Sequence, residues 1–426
     1  MKILSSTTAA LSKPLKEVVM TVDAATSDTP VHWERYLAKR TSGMKSSAIR
    51  ELLKITQLPD VISFAGGLPA PELFPVREIE EACSYLLRHE AKMALQYSTT
   101  EGHPPLREFL AESMSKYGIH YGPDNVLITT GSQQALDLIG KIFIDPGAAA
   151  LTASPTYLGA IQAWRAYEGN FVNVPLDDKG MCVASIEDVI RETPVRFVYV
   201  LPNFHNPAGI TLSEERRRLL VDVARKHDLI IVEDDPYGAL RYEGEHIVPI
   251  ASLAPERTIY LGTFSKTLTP GLRIGWVVAP TELRQRLVQA KQGADLHTST
   301  FDQMIANDIA QRGILKTHVQ KLRQVYGERM NTMLDAMSEF WPDECSWTHP
   351  QGGLFLWAKV PESLNTVELL NIALKRKVAF VPGVNFYPHA DGGHNAMRLN
   401  FSNAKPDMII EGIQRLGLTL KEAIVT

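Results

Sequence analysis

Leu229-Ile230-Ile231-Val232-Glu233-Asp234-Asp235-Pro236-Tyr237-Gly238 opens as a β-branched apolar run and closes in carboxylates, a proline and a tyrosine. An apolar run of this length, stopped by polar residues, predicts a strand buried on both faces whose carboxyl end meets a site. Two further runs repeat the pattern. Arg196-Phe197-Val198-Tyr199-Val200-Leu201 ends in Pro202-Asn203-Phe204-His205-Asn206-Pro207-Ala208-Gly209, and Thr258-Ile259-Tyr260-Leu261 leads into Gly262-Thr263-Phe264-Ser265-Lys266. Between the first of these and Leu229 lies a helical pattern, Ser213 to Lys226, with Ser213 as N-cap and Glu214 and Glu215 in the first turn. Strand and helix alternate, so the fold class is α/β, with a mostly parallel sheet wrapped by helices and a polar edge at its carboxyl ends.

Lys266 sits on that edge, flanked by Thr263, Ser265 and Thr267 and followed seven residues later by Arg273. An isolated lysine would read as a surface residue. An amine among hydroxyls with an arginine nearby has the surroundings to hold an aldehyde that carries a phosphate, most simply pyridoxal phosphate, with an acid elsewhere to partner its ring nitrogen. Gly131-Ser132-Gln133-Gln134 opens a helical pattern directly after the strand Val126 to Thr129, and the free N–H groups of a helix start favour a phosphate dianion. On its own the Gly-Ser pair reads equally as a helix cap. Arg398 lies in a strand-like context, Met397-Arg398-Leu399, and its guanidinium fork suits a substrate carboxylate.

Ser-Phe-Ala-Gly-Gly-Leu-Pro (63–69), Ala-Leu-Gln-Tyr-Ser (94–98), Thr-Gly-Ser-Gln-Gln-Ala-Leu (130–136) and Lys-Gln-Gly-Ala-Asp-Leu-His-Thr (291–298), taken with the segments above, resemble the fold-type I, class I/II aminotransferases. The likeness runs from about Arg50 to the C-terminus and is strongest for the 2-aminoadipate and kynurenine/aminoadipate branch. It implies that Lys266 binds the cofactor and carries a proton, and that Asp234 pairs with the ring nitrogen. Asp234 is preferred to Asp235 because the family pattern is Asp-x-x-Tyr, ending here at Tyr237. The resemblance further implies that Tyr237 and Asn206 donate to the ring oxygen, that Tyr157 stacks on the ring, and that Thr263, Ser265 and Arg273 complete the phosphate cup with Ser132 and Gln133. Arg398, Asn206 and the Gly67 backbone would meet the substrate. Tyr97 resembles a tyrosine that reaches the neighbouring subunit's phosphate, which implies a homodimer with shared sites. Arg50 resembles the arginine of a mobile helix that meets an acidic substrate side chain; an exposed helical arginine is the competing reading.

The 426 residues, 45% hydrophobic and 22% charged, suit two domains with their own cores. The expected division is an N-terminal arm at 1–45, a first part of the small domain with a mobile helix at 46–84, a large cofactor-binding domain at 85–315, and the rest of a small α+β domain at 316–426. Formal net charge is −4 with mixed signs, which argues against nucleic acid. The three cysteines form no Cys-x-x-Cys pair, so neither a zinc site nor a disulfide framework is expected. No apolar run reaches the roughly 18 residues of a membrane span, and a cytoplasmic protein is expected. The expected activity is amino transfer between an L-amino acid and a 2-oxo acid such as 2-oxoglutarate by a ping-pong cycle. A β-lyase, synthase or decarboxylase would use the same anchor, and a cofactor-sensing regulator would need a DNA-binding domain ahead of the match.

Overall fold

The computed structural model describes residues 31–44 and 60–425. Met1–Lys39 and Arg40–Thr426 are separate compact units. In the first, Trp33–Arg35 forms a short 3-10 turn and the Trp33 ring stands edge-on to Tyr36 at 6.5 Å. Arg50, expected on the mobile helix, lies outside the described residues.

The second unit is built on an eight-stranded sheet of β1 (Val126–Thr130), β2 (Ala149–Ser154), β3 (Asn170–Asp177), β4 (Gly180–Met181), β5 (Val195–Val200), β6 (Ile230–Asp234), β7 (Thr258–Thr263) and β8 (Ile274–Val278). Their spatial order is β1-β8-β7-β6-β5-β2-β3-β4. The three strands read first, β5, β6 and β7, are adjacent and parallel. Apolar residues alternate between the two faces as a period of two requires. Phe197, Tyr199 and Val232 join one cluster, with the Ser132–Phe143 helix, while Val198, Val200 and Ile231 join another, with Leu220 and Ala224 of the Glu214–Lys226 helix. Burying each such side chain contributes about 1.5–3 kcal/mol, so helices on both faces are what hold the sheet. Ser213 caps its helix as expected, its side chain accepting from Arg216 N.

One strand runs against the others in a way that matters for the site. β8 is antiparallel to both β1 and β7, with Thr130 opposite Ile274 and Thr263 opposite Gly275. Its amino end therefore lies at the carboxyl ends of its neighbours, and Arg273, just before β8, arrives at the same edge as Lys266.

A smaller antiparallel sheet, ordered β9-β10-β12-β11, comprises β9 (Ser346–Trp347), β10 (Phe355–Lys359), β11 (Val381–Pro382) and β12 (Ala396–Asn400). Its core includes Met330 and Met333 of the Ile314–Phe340 helix and Ile409 and Ile413 of the Pro406–Val425 helix. Residues 300–340 form two helices, Thr300–Gln311 and Ile314–Phe340, parted by Gly313 at φ 74. The extended run 378–382 is divided at Phe380: Val378–Ala379 pairs in parallel with Ile62–Ser63, whereas β11 joins β12. The first of those pairings, with Asn400 N donating to Phe64 O at 2.9 Å, draws the 64–67 segment alongside β12.

Candidate active site

The site grows from strand ends. Gly131 links β1 to the Ser132–Phe143 helix with φ 75, a backbone that favours glycine. A Cβ there would come within 2.4 Å of Arg273 Nη2, and one on Gly275 within 2.7 Å of the Gly131 carbonyl carbon and Ser132 N. Two glycines thus allow the arginine, the helix start and β8 to converge. Ser132 Oγ donates to Gly262 O at 3.3 Å, and Gln133 Nε2 to Gly159 O at 2.9 Å. Thr263 Oγ1 lies 2.9 Å from Ser265 Oγ and donates to Ile274 O at 3.0 Å. The cup presents a helix start, two hydroxyls and the exposed Arg273, a donor set that fits a phosphate dianion.

Deeper, the neighbouring carboxylates Asp234 and Asp235 are sharply different. Asp235 Oδ1 accepts from Asn203 Nδ2 at 3.0 Å and Gly238 N at 2.8 Å, and Oδ2 from the Tyr260 hydroxyl at 3.2 Å. Asp234 is 2% exposed; its Oδ2 accepts from the Tyr199 hydroxyl at 2.7 Å, and its Oδ1 has no partner. Burial pushes its pKa up to about 7, against the pull of the Tyr199 bond. A buried oxygen without a donor is costly, and the ring N–H of a pyridinium is a donor of the right kind. The residues therefore fit pyridoxal phosphate at both its phosphate and its ring nitrogen. Tyr237 and Asn206 are both buried, and burial pushes the Tyr237 pKa up. The Tyr157 ring lies over Gly159, where a Cβ would stand 2.5 Å from it.

Two cations share one short segment. Lys266 Nζ donates to Gly67 O at 2.7 Å, and Arg398 Nη2 donates to Ala65 O at 2.7 Å while its Nη1 donates to Asn206 Oδ1 at 2.9 Å. Burial, then the charges of Arg398 and Arg273, lower the Lys266 pKa to about 8, and burial lowers that of Arg398 to about 10. Arg398 is buried because β12 is flanked by β10 and β11, with Trp357 and Val381 opposite it. Its guanidinium carbon lies 4.2 Å from the Phe355 ring centre and 5.1 Å from that of Phe386, and its Nε has no partner. A Cβ on Gly67 would stand 3.3 Å from the Phe355 ring, a tight contact that the ring would have to yield by a few tenths of an ångström to accept.

Tyr97 stands apart from these groups, 79% exposed and edge-on to His297 at 5.8 Å. The sequence reading passed over Tyr199, whose signal was a phenol in an apolar strand one residue before the strand's end. It also passed over Phe355 and Phe386, which look like ordinary core until the arginine between them is placed.

The aminotransferase class I and II family matches residues 60–416. The chain belongs to that family. This aminotransferase is 48% identical over 97% of its length to aromatic-amino-acid aminotransferase 1 of Thermococcus litoralis, of which 99% is covered. Its fold matches that of Pyrococcus horikoshii kynurenine aminotransferase, solved with PMP, kynurenine and product, at TM-score 0.89 and 44% identity, covering 92% of this chain and 99% of that one. It also matches the alpha-aminoadipate aminotransferase of Thermus thermophilus, solved with N-(5'-phosphopyridoxyl)-L-leucine, at TM-score 0.87 and 42% identity, covering 92% and 99%. The family, the branch and the pyridoxal phosphate cofactor read from the sequence are borne out. Among the described residues no helix is long and apolar enough to cross a membrane, and no cluster of His, Cys, Asp and Glu could hold a metal ion.

Proposed function

We propose that this pyridoxal-phosphate-dependent aminotransferase moves an amino group from an L-amino acid of the 2-aminoadipate, aromatic, kynurenine or branched-chain type to a 2-oxo acid such as 2-oxoglutarate, by a ping-pong cycle. One observation carries the reading: Lys266 and Arg398 bond carbonyls two residues apart in the Ala65–Gly67 segment. A proton carrier and a carboxylate receptor then face the same small volume. When bound, the cofactor supplies an aldehyde to take the amino group and a ring that accepts electrons from the substrate carbon.

The chain supplies the rest. Arg398, held by Asn206 and Ala65 and braced by two aromatic rings, receives the substrate carboxylate and so fixes which α-substituent faces Lys266. Lys266, with its pKa lowered to about 8, takes the α-proton as the neutral amine and returns it as the acid. Asp234 holds the ring nitrogen, Tyr237 and Asn206 the ring oxygen, and Tyr157 covers the ring face. Ser132, Gln133, Thr263, Ser265 and Arg273 hold the phosphate. Gly67 leaves room for the substrate backbone.

The side-chain preference is tested by adding single amino acids to holoenzyme and ranking the rates of the first half-reaction by absorbance. Acidic and large apolar donors are expected to react fastest. We assign Arg50 to the acidic ones, so Arg50→Ala should slow 2-aminoadipate about tenfold or more, the scale of one charge-assisted bond, and leave leucine alone. Equal losses for both would remove that assignment.

The enzyme works, on this reading, as a cytoplasmic homodimer whose Tyr97 reaches the partner's phosphate. Its exposure and the apolar surface beside it, Leu95 and Leu296, support this. The two sheets correspond to two domains, large at 85–315 and small at 46–84 with 316–426. Sedimentation should give twice the chain mass. Tyr97→Phe should loosen the cofactor without changing that mass, and a stable monomer with full activity would overturn the assignment.

A further inference from the structure

The segment Lys291 to Thr298 takes no part in the chemistry above, yet it encloses a buried ammonium. Lys291, in the last turn of the Thr281–Gln292 helix, is 0% exposed. Its Nζ lies 2.7 Å from Gln134 Oε1, 2.7 and 2.9 Å from the two Asp295 oxygens and 3.0 Å from Thr298 Oγ1. An ammonium has three donors, so four acceptors saturate it. Burial lowers the Lys291 pKa against the pull of Asp295; for Asp295, burial acts upward and is outweighed by bonds from Lys291, Thr130 and Gln134. Asp295 keeps its side chain 28% exposed, so the desolvation falls on the ammonium, a cost that a neutral apolar helix end would avoid. Helix stability alone therefore does not account for it.

Its contacts lead to the phosphate cup from both sides. Gln134 Oε1 also accepts from Thr130 N at 2.8 Å. The Thr130 hydroxyl donates to Asp295 Oδ2 at 2.7 Å and lies 3.1 Å from Thr298 Oγ1, and its carbonyl accepts from Arg273 Nη2 at 3.4 Å. Thr130 precedes the Gly131-Ser132-Gln133 turn and Gln134 follows it, so one ion pair grips both ends of that turn. In the other direction the His297 ring bridges Thr298 O, 2.8 Å from Nδ1, and Ser98 N, which donates to Nε2 at 3.3 Å, beside the exposed Tyr97.

We propose that Lys291 is a positioning residue for the cofactor phosphate. Its ammonium clamps the two ends of the Gly131–Gln133 turn in the open-cup geometry and keys that turn, through the Asp295–Thr298 loop, to the segment carrying Tyr97. The proposal rests on the reading that this turn and Arg273 receive the phosphate.

The test compares pyridoxal phosphate with pyridoxal, which lacks the phosphate, by their dissociation constants from the full-length protein. Lys291→Met should weaken pyridoxal phosphate about ten- to a hundredfold, the range expected for loss of a hydrogen bond to a charged group, and leave pyridoxal within about twofold. Lys291→Arg should recover part of the loss. Equal weakening of both ligands, or no change in either with only a lower Tm, would overturn the proposal. Should Lys291→Met fail to fold, Thr130→Val, which cuts the same clamp at its far end, must show the same selective loss, and its failure to do so would be as decisive. Arg273→Met separates the underlying reading: if it too leaves the preference for the phosphorylated ligand unchanged, the phosphate lies elsewhere and the cup itself is wrong.

Discussion

Lys266→Arg should fold, bind pyridoxal phosphate and transfer amino groups about a thousandfold more slowly, within the range that loss of a positioned proton carrier gives. Arginine keeps the charge and the reach but cannot become a neutral base in a protein. It also forms no reducible link to the cofactor, so borohydride should leave the variant unlabelled at position 266 and label the wild type there. A wild-type rate in the variant, with cofactor bound, would place the proton transfer elsewhere. The lowered pKa makes a second, independent signature. With a folded value of about 8 against an unfolded value near 10.5, the folded cofactor-free protein holds fewer protons than the unfolded chain between those limits. Its stability therefore rises from pH 8 to 10.5 on account of this group. In cofactor-free Lys266→Met that contribution should vanish, as urea unfolding at pH 8 and pH 10 would show.

Most of this site was legible because strands buried on both faces leave a plain trace. The 196–201, 229–232 and 258–261 runs gave three adjacent strands, and the polar residues after them gave the edge that bears Asn206, Asp234 and Lys266. Asp234 was separated from Asp235 only by a family pattern; in three dimensions hydrogen bonding separates them, since one is saturated and the other has a bare oxygen. What local pattern could not reveal was direction and partnership. The reversal of β8, which delivers Arg273 to the edge, depends on pairing with β1 and β7 far away in sequence. The split of 378–381 between two ladders turns on Phe380, whose burial in the core looks no different from that of its neighbours. Lys291 is similar: a lysine near a helix end reads as solvated, and only the arrival of Gln134 and the 295–298 loop makes it a clamp.

The second large effect belongs to Asp234. Asp234→Asn should reduce the first half-reaction about a hundred- to a thousandfold, the usual scale for removing a preorganised electrostatic partner, with smaller changes in the affinity for the amino acid itself. The reason lies in burial. In the cofactor-free protein the carboxyl is held protonated up to about pH 7, so the folded state binds more protons than the unfolded chain, and stability falls as pH rises from about 4 to 7. A cationic ring nitrogen against Oδ1 stabilises the ionised carboxylate and cancels that loss. The gap in Tm between cofactor-loaded and cofactor-free wild type should therefore widen from pH 5 to pH 7. Glu233, also raised to about 7 by burial, bonds instead to Ile250 N and Ala251 N and contributes the same slope with or without cofactor. In Asp234→Asn the gap should stay flat over that interval. A gap that widens equally in the variant would show that the proton is held by another group, and would detach Asp234 from the ring nitrogen whatever its effect on rate.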